Sequence, residues 1–342
     1  MVINIRGNMT EQEELVAVTG SEGFIGSHLV ETLVRRGRRV RAMVLYNMHN
    51  SCGWLDVLAP DIRDRVEVVF GDVRDPASAR QVVEGAAVVY HLAALISVPY
   101  SYSAPRSFVD TNAIGTLHVL EAARACRTPR LVHTSTSETY GTARTVPISE
   151  AHVLQAQSPY AASKIAADKL AESYYLSFAT PVVTLRPFNT FGPRQSARAV
   201  IPAIIIQLAA GSRQLKLGAL APTRDFSYVT DTAQAFADLG EAPASAVVGE
   251  VFNVGPGDDV SIGQLAEDIA AMMGVPADIV EDPQRLRPKD SEVMRLVCDA
   301  SKLRDRIGWR PRQTRAEGLR QTIEWFREPA NLARYNPNEY SQ

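Results

Sequence analysis

The sequence Thr19-Gly-Ser-Glu-Gly-Phe-Ile-Gly26 lies between a short apolar run and an amphipathic stretch. The apolar run predicts a buried parallel strand, and the 3.6-residue period of the amphipathic stretch predicts a helix. Gly20 permits a tight turn, Gly23 lets a ligand approach the backbone, and Gly26 lets helix and strand pack closely. Because a helix N-terminus attracts phosphate, this turn predicts a dinucleotide site more strongly than an ordinary strand-to-helix connection.

Strands alternate with helices from this turn to Pro187. Such alternation is typical of an α/β protein with a Rossmann-type, doubly wound parallel sheet. Sheets of this kind bind ligands at the carboxyl ends of their strands. The predicted strands span 15–19, 39–45, 66–70, 86–91, 130–134 and 182–186. The predicted helices span 24–36, 108–125 and 158–178.

Proline and glycine become frequent after residue 187, which predicts a smaller C-terminal α/β substrate domain. A cleft between the two domains is the expected site. The predicted divisions are a flexible leader (1–14), a dinucleotide-binding domain (15–187, with a return of 224–242), an interleaved substrate domain (188–330) and a tail (331–342). The predicted elements after 187 are a loop at 189–194, strands at 214–217, 224–229 and 251–254, and helices at 201–210, 262–273 and 315–327.

The composition argues against several classes of protein. The 342 residues carry a net charge of −2, which gives no indication of a nucleic-acid partner. No apolar run approaches the ~20 residues that a membrane span needs. Cys52, Cys126 and Cys298 are scattered and fit neither a metal site nor a disulfide framework. We therefore expect a cytoplasmic protein without a metal ion.

The segment Tyr160-Ala-Ala-Ser-Lys164 predicts a reacting centre, because its tyrosine and lysine lie one helical turn apart on one face. The ammonium of Lys164 can depress the pKa of the Tyr160 phenol and make it a general base. Thr136, Ser137 and Glu138 follow the fifth strand and add two hydroxyls and a carboxylate at the same edge. The alternatives are a solvated helix face, a capped turn and a surface charge.

The second predicted strand ends without the carboxylate that usually binds the ribose of NAD, and without a cation for a 2′-phosphate. NAD is therefore favoured over NADP, with Asn47 or Asn50 as a ribose ligand and Arg41 nearby. Asp72 is placed either at the adenine or in a solvated turn. The predicted cofactor-binding residues are Gly20, Gly23, Phe24, Ile25, Gly26, Asn47, Asp72, Val73, Leu92, Ala93, Ala94, Tyr160 and Lys164.

As a set, these motifs resemble the extended short-chain dehydrogenase/reductases of the nucleotide-sugar epimerase/dehydratase family. The wider likeness rests on 19–26, Gly71-Asp72, His91-Leu-Ala-Ala94, Thr111-Asn112, Tyr160 with Lys164, Arg186-Pro-Phe-Asn-Thr-Phe-Gly-Pro-Arg194 and Arg224-Asp-Phe-Ser-Tyr-Val-Thr-Asp231. A narrower likeness to sugar-nucleotide 4,6-dehydratases of the legionaminic-acid type rests on Tyr46-Asn47, Trp54-Leu-Asp56, Pro99-Tyr-Ser-Tyr102 and Arg194-Gln-Ser-Ala-Arg-Ala-Val-Ile-Pro202.

The resemblance implies a 4,6-dehydratase acting on a nucleotide hexose of the UDP-N-acetylglucosamine type. Tyr160 would take the proton of the sugar 4-hydroxyl while hydride passes to the cofactor, and Thr136 would hold the 4-oxygen. Glu138 would remove the C5 proton, and water would leave with Ser137 or protonated Glu138 as the acid, before hydride returns to C6. A 4-epimerase and a UDP-glucuronate decarboxylase on the same scaffold are the alternatives.

The resemblance also implies the substrate ligands and the assembly. Asn189 would bond a phosphate, and Arg224 and Arg287 would pair with the diphosphate. Arg194 is a further substrate candidate, followed by Arg198. A homodimer would form through the predicted helices 108–125 and 158–178, although burial within one chain explains their apolar positions equally well.

Overall fold

The computed structural model describes residues 14–336. The predicted leader, 1–14, lies outside the described residues except for Glu14, and so does the predicted tail, 331–342, beyond residue 336. The strands are β1 (Leu15–Thr19), β2 (Arg39–Leu45), β3 (Val66–Gly71), β4 (Val88–His91), β5 (Arg130–Thr134), β6 (Val182–Pro187), β7 (Asn189–Phe191), β8 (Gln214–Leu217), β9 (Thr223–Tyr228), β10 (Val251–Val254), β11 (Asp259–Ser261), β12 (Asp278–Glu281) and β13 (Arg295–Leu296).

Helices of very different length connect these strands. They are α1 (Phe24–Arg35), α2 (Pro60–Arg63), α3 (Pro76–Val83), α4 (Val98–Ser103), α5 (Pro105–Phe108), α6 (Gly115–Ala125), α7 (Pro159–Phe178), α8 (Val200–Ala209), α9 (Val229–Glu241), α10 (Ala244–Val247), α11 (Ile262–Met273), α12 (Ser301–Ile307), α13 (Arg315–Arg327) and α14 (Pro329–Leu332). Within 14–336, no helix has the length and apolar character that crossing a membrane requires.

Seven parallel strands form the main sheet in the order β3-β2-β1-β4-β5-β6-β10. Strand β1 lies between β2 and β4, with Thr19 opposite both Met43 and His91. The strand order reverses between β1 and β4, so the loops that follow these two strands diverge and leave a crevice. The predicted Rossmann-type α/β fold is confirmed.

Alternate residues of each central strand face opposite helix layers, as the period of two in a strand requires. Val16 and Val18 of β1 belong to one core with Leu29 of α1 and Phe236 of α9. Ala17 points the other way, into a second core built with α3, α6 and α7. Both faces of the sheet are therefore covered, which explains the continuous apolar runs in the strands.

A smaller unit is built around β9, which pairs with β7, β11 and β13, beside a separate pair of β8 with β12. Helices α8, α11 and α13 cover this unit, and its core includes Ile204, Phe226, Leu265 and Phe326. The prediction of an irregular loop at 189–194 is wrong at its start. Asn189–Phe191 is a strand because it pairs in parallel with β9.

Two further predictions need correction. Strand β10 was expected within the substrate domain, but its pairing with β6 makes it the last strand of the main sheet. The predicted helix 108–125 is interrupted by a π-helical turn, Val109–Ile114, because the side chain of Asn112 bonds both backbone groups of Leu95 at 2.8 and 2.9 Å. The two-domain division itself stays a prediction.

An aromatic cluster joins the two units. Trp54, in the segment after β2, lies 5.7 Å from Trp325 of α13 and stacks on Tyr335 at 6.3 Å between ring centroids. Tyr335 also donates a hydrogen bond to the carbonyl of Gln195. The C-terminal segment therefore ties the segment after β2 to the smaller unit.

Asp225 of β9 is a fully buried carboxyl group. Its Oδ2 accepts hydrogen bonds from the backbone amides of Gly257 and Cys298, both at 2.9 Å. Its Oδ1 has no hydrogen-bond partner among residues 14–336. Burial raises the pKa of Asp225 to about 7, well above the ordinary range for a carboxyl group.

We expect Asp225 to make stability depend on pH near neutrality. Because its folded-state pKa exceeds the unfolded value of about 3.9, it contributes stability that is lost as the pH rises through about 7. The free energy of unfolding of the wild type, relative to Asp225→Asn, should fall by about 1.4 kcal/mol from about pH 6 to about pH 8. Urea denaturation of both proteins measures this difference, and a constant difference would contradict the assignment.

Candidate active site

The glycine turn after β1 is shaped by packing at two of its three glycines. Gly20 has φ +66°, and a Cβ there would lie 2.8 Å from the Cα of Ala93. A Cβ on Gly26 would lie 2.1 Å from the carbonyl oxygen of Gly20. Gly23 differs, because its nearest protein atom would be 3.4 Å away, and no side chain caps the helix that begins after it. The N-terminus of α1 is therefore open to a ligand at Gly23.

Thr19, the last residue of β1, positions the loop after β4, which forms the other side of this crevice. Its hydroxyl accepts hydrogen bonds from the backbone amides of Leu92 and Ala93, both at 3.1 Å. The same hydroxyl lies 2.8 Å from Nδ1 of His91. The segment Leu92-Ala93-Ala94 is thus brought against Gly20, and its role beside the cofactor stays a prediction.

The structure gives other predicted cofactor residues local roles. Asn47 uses Nδ2 to donate to the carbonyls of Leu45 and Ser51, and Oδ1 to accept from the amides of His49 and Ser51. It therefore has no free group for the ribose, and we correct that prediction. Asn50 is exposed at the same loop, with φ +53°.

Asp72 pairs with Arg74 two residues later, at 2.5 Å, and the hydrogen bond from Arg74 lowers the pKa of its carboxyl. The turn role weighed for Asp72 is thus observed. Val73 is buried against Gly115. Phe24 and Ile25 form the first turn of α1, where the ring of Phe24 packs edge-on against His28.

Helix α7 begins where its sequence predicts. The side chain of Ser158 accepts from the amide of Ala161 at 3.1 Å, and proline occupies the first helical position. This start puts Tyr160 in the first turn and Lys164 in the second. Lys164 donates from Nζ to the carbonyl of Thr134 at 2.6 Å, at the carboxyl end of β5. Tyr160 is buried against Phe108, with ring centroids 6.2 Å apart.

The pKa of Tyr160 shifts in the opposite direction to the prediction, and the pKa of Lys164 shifts as well. Burial raises the pKa of Tyr160 in the protein alone, and the carboxylate of Glu138 raises it further, whereas a hydrogen bond from Thr136 lowers it. Burial lowers the pKa of Lys164 to about 8, and Asp168 opposes that change. The expected depression of the phenol pKa by lysine is therefore not a property of the protein alone.

A buried ionic network lies one turn beyond Lys164, and the sequence analysis missed it. Asp168 accepts from Arg186 at 2.9 and 3.1 Å, from Ser135 at 2.7 Å, and lies 3.1 Å from Nε2 of His133. These partners lie on or directly after β5 and β6, and they hold the pKa of Asp168 at about 2 despite its burial. The i, i+4 spacing of Lys164 and Asp168 was the only sequence signal for it.

Hydrogen bonds also connect the glycine turn to α7. The donor and acceptor atoms of each hydrogen bond in this series lie 2.6–2.9 Å apart, and the last acceptor is the main-chain carbonyl of Tyr160. The members of this series are Thr19, His91, Thr116, Asn112, Ser163 and Tyr160. The cofactor edge and the reacting tyrosine are therefore fixed relative to each other by buried polar contacts.

The segment after β5 forms a 3₁₀ turn, Ser137–Tyr140. Thr136 caps this turn, because its Oγ1 accepts from the amide of Glu138 at 3.2 Å. The capping role weighed for Thr136 is therefore present, and its role of holding the sugar 4-oxygen stays a prediction. Ser137 is buried, and the carboxylate of Glu138 lies within 3.9 Å of Nη1 of Arg287.

Two arginines and a second carboxylate complete the site. Nη1 of Arg287 also lies 3.9 Å from the carboxylate of Glu292. Arg224 is buried, and its Nη2 lies 3.2 Å from the carboxylate of Glu292. Nη1 of Arg287 and Oδ1 of Asn189 are buried without a hydrogen-bond partner among the described residues. Sequence reasoning found these arginines and Asn189 but missed Glu292.

Arg194 is bonded to the first helix. Its guanidinium donates to Glu31 at 2.9 Å and to the hydroxyl of Ser27 at 3.4 Å, both on α1. It therefore ties the loop after β7 to the first helix, and its role in binding the substrate stays a prediction. Arg198 is exposed. Within 14–336, no group of three or more His, Cys, Asp or Glu side chains is arranged to hold a metal ion.

The profile of the GDP-mannose 4,6-dehydratase family matches residues 17–322. The chain belongs to this family. A UDP-glucose 4-epimerase of Mycolicibacterium smegmatis is 33% identical over 324 residues, covering 91% of this chain and 97% of the relative. A dTDP-glucose 4,6-dehydratase of an Actinoplanes species is 32% identical over 318 residues, covering 91% and 97%.

A solved structure supports the same assignment. The dTDP-glucose 4,6-dehydratase DesIV of Streptomyces venezuelae, crystallised with NAD bound, is 28% identical. It superimposes with a TM-score of 0.84 over 95% of this chain and 100% of that chain. The predicted membership of the NAD-dependent epimerase/dehydratase group is confirmed, and the family's relatives include both 4,6-dehydratases and 4-epimerases.

We expect alanine to change the free energy of unfolding differently at Gly23 and at Gly26. Gly26→Ala places Cβ against a backbone oxygen that cannot move aside, so we expect a loss of about 3 kcal/mol or more in the free energy of unfolding. Gly23→Ala should cost no more than about 1 kcal/mol, the usual difference between glycine and alanine before a helix. Guanidinium denaturation of both variants tests this. Equal losses would show that packing also constrains Gly23.

Proposed function

We propose that the chain is a nucleotide-sugar 4,6-dehydratase, which converts a nucleotide hexose into the 4-keto-6-deoxy sugar. One observation carries the proposal: Glu138 lies in the 3₁₀ turn that follows β5, the strand whose last carbonyl accepts the hydrogen bond from Lys164, one helical turn beyond Tyr160. Oxidation at C4 requires only the tyrosine, whereas loss of water across C5 and C6 also requires a base for the C5 proton. A second titratable group beside the phenol meets that requirement.

The cofactor that we propose is NAD, as in the DesIV structure. The open N-terminus of α1 at Gly23 suits a pyrophosphate, and Leu92-Ala93-Ala94 offers small side chains on the other wall. When bound, NAD supplies the hydride acceptor for C4, the hydride donor for C6, and a positive charge above the ring. These residues would hold it without the help of Asn47.

The proton steps are assigned to residues of the chain. Tyr160 takes the proton of the 4-hydroxyl, with Thr136 bonded to the phenol oxygen, and Lys164 supports the phenolate by its charge. Glu138 then removes the C5 proton, which the 4-ketone acidifies. The 6-hydroxyl leaves as water, with Ser137 or protonated Glu138 as the acid. The product gains hydride at C6 and a proton at C5, and this proton balances the one that Tyr160 took from the 4-hydroxyl. Because the oxidised cofactor would be regenerated, it need not leave between turnovers.

The substrate that we propose is a nucleoside diphosphate hexose of the UDP-N-acetylglucosamine type, as in pathways of the legionaminic-acid type. Arg224 and Arg287 provide two cations on the side of the site formed by the smaller unit. Arginine binds phosphate oxygens strongly through parallel hydrogen bonds. The unpartnered Nη1 of Arg287 and Oδ1 of Asn189 are groups that a phosphate-bearing ligand or its hydroxyls would satisfy.

A second candidate is a UDP-glucuronate decarboxylase, and the position of Arg287 favours it. That reaction needs a cation beside the carboxylate at C5, and Nη1 of Arg287 lies next to Glu138. An epimerase is less well supported, because it gives Glu138 no role. Measuring the mass of the product separates the three: loss of water, loss of carbon dioxide, or no change.

We also infer that the chain forms a homodimer through α6, α7 and the π-helical turn between α5 and α6. Val109 and Ile114 on that turn are large apolar side chains that are 47% and 40% exposed. Helix α7 packs directly beside this turn and beside α6. An apolar surface on adjacent long helices is the kind of face that a second copy covers.

Glu138→Gln should separate oxidation from elimination. The amide keeps the size of the side chain but cannot take a proton, so we expect dehydration to fall by about 100-fold or more. Exchange of the C5 hydrogen with solvent should fall in parallel, while nucleotide-sugar binding is kept. Mass spectrometry of product and recovered substrate in heavy water measures both. Unchanged dehydration would remove Glu138 from the mechanism.

Ile114→Asp should break the proposed dimer, because a carboxylate would be buried without a partner between two copies. We expect the variant to sediment as a monomer at concentrations where the wild type is a dimer. Val153→Asp, at an apolar residue 48% exposed in the segment before α7 and outside the helices of the proposed interface, is the control. A monomeric wild type, or a dimer of both variants, would contradict the proposed interface.

A further inference from the structure

The end of β2 lacks the ribose-binding carboxylate that is usual in a protein that binds NAD. A carboxylate usually stands there and bonds the ribose hydroxyls. Here the residues that follow the strand are uncharged, and Asn47 is fully used by its own loop. Residues 45–50 thus lack the usual carboxylate, Asn47 is occupied, and Asn50, the other predicted ligand, is exposed in the same loop.

A carboxylate nevertheless reaches this position from another element. Glu22 lies within the glycine turn, and its Oε1 accepts a hydrogen bond from the amide of Leu45, the last residue of β2, at 3.0 Å. Its main-chain carbonyl accepts from the amide of Trp54 at 3.1 Å. Gly53 fits tightly beside it, since a Cβ there would lie 2.9 Å from the Cβ of Glu22. The side chain is therefore bonded to the end of β2, while the main chain of Glu22 is bonded to Trp54, in the segment after β2.

The second oxygen of this carboxylate is the informative one. Oε2 of Glu22 is buried and has no hydrogen-bond partner among residues 14–336. An unsatisfied buried acceptor costs about 1–3 kcal/mol, and more when it is charged. Burial accordingly raises the pKa of Glu22. A hydroxyl donor from a ligand would remove this cost.

We propose that Glu22 replaces the missing β2 carboxylate: it accepts a hydrogen bond from the 2′-hydroxyl of the adenosine ribose and excludes a 2′-phosphate. This inference rests on the proposed function, because it assumes that a dinucleotide binds along the glycine turn. The glycine turn then supplies both the space for the pyrophosphate, at Gly23, and the group that selects the ribose, one residue earlier.

The surrounding charges favour the same selection. A 2′-phosphate carries nearly two negative charges and would be repelled by a buried carboxylate. Arg41, on the same strand, cannot offset this, because it is bonded to Glu67 at 2.9 Å and to the carbonyl of Glu84 at 2.6 Å. Arg74, after β3, is paired with Asp72. Within residues 14–336, both of these arginines are already paired with a carboxylate.

Glu22→Gln tests this inference by binding alone. The amide oxygen of glutamine can still accept from Leu45, so the turn should keep its shape, while the negative charge is lost. Dissociation constants for NAD and NADP are measured by titration calorimetry on protein freed of any dinucleotide that co-purifies. We expect the wild type to prefer NAD by about tenfold or more, and the variant by less than about threefold.

Asp61→Asn is the matched control, because it removes an exposed carboxylate from the segment between β2 and β3 and should leave the preference unchanged. An unaltered preference in Glu22→Gln, with both dinucleotides bound, would overturn this inference and leave the proposed function intact. If the wild type bound neither dinucleotide, the proposed function would fail and this inference with it. Circular dichroism and the affinity for NAD itself show whether the variant is folded.

Discussion

The buried pairing of Asp168 with Arg186 is the interaction on which the site depends. A charge removed from water is tolerated only when its partners are complete, and Asp168 has four hydrogen bonds from Arg186, Ser135 and His133. Those partners belong to β5 and β6, whereas Asp168 belongs to α7. The network therefore sets the position of α7 against the sheet, and with it the positions of Lys164 and Tyr160.

Buried polar contacts also fix the edge of the sheet beside the glycine turn. Buried polar side chains connect Thr19 of β1 to Ser163 of α7, and none of them faces bulk water. Such contacts contribute modestly to net stability but are costly to break, so they specify one arrangement of the groups they join. A nicotinamide enzyme needs that rigidity, because the reacting carbon, the phenol and the hydride acceptor must meet within a fraction of an ångström.

Local sequence was sufficient wherever one element or one turn decided the structure. The bounds of β1, β2 and β5 follow from apolar runs, and Ser158-Pro159 marks the start of α7. The reacting residues could be found because their spacing is local. Partners that are distant in sequence could not be read in this way. Arg194 was placed with the substrate, yet Glu31 binds it, and the partners of Asp168 lie on two other strands.

Strand β10 illustrates the same limit and has a consequence for biosynthesis. It completes the main sheet beside β6, but the chain reaches it only after passing through β7, β8 and β9. The first 187 residues emerging from a ribosome therefore lack Phe252, which is fully buried in the core between the sheet and α9. Until β10 has been translated, β6 is therefore an unpaired edge of the nascent sheet, and such edges are prone to pair with other chains.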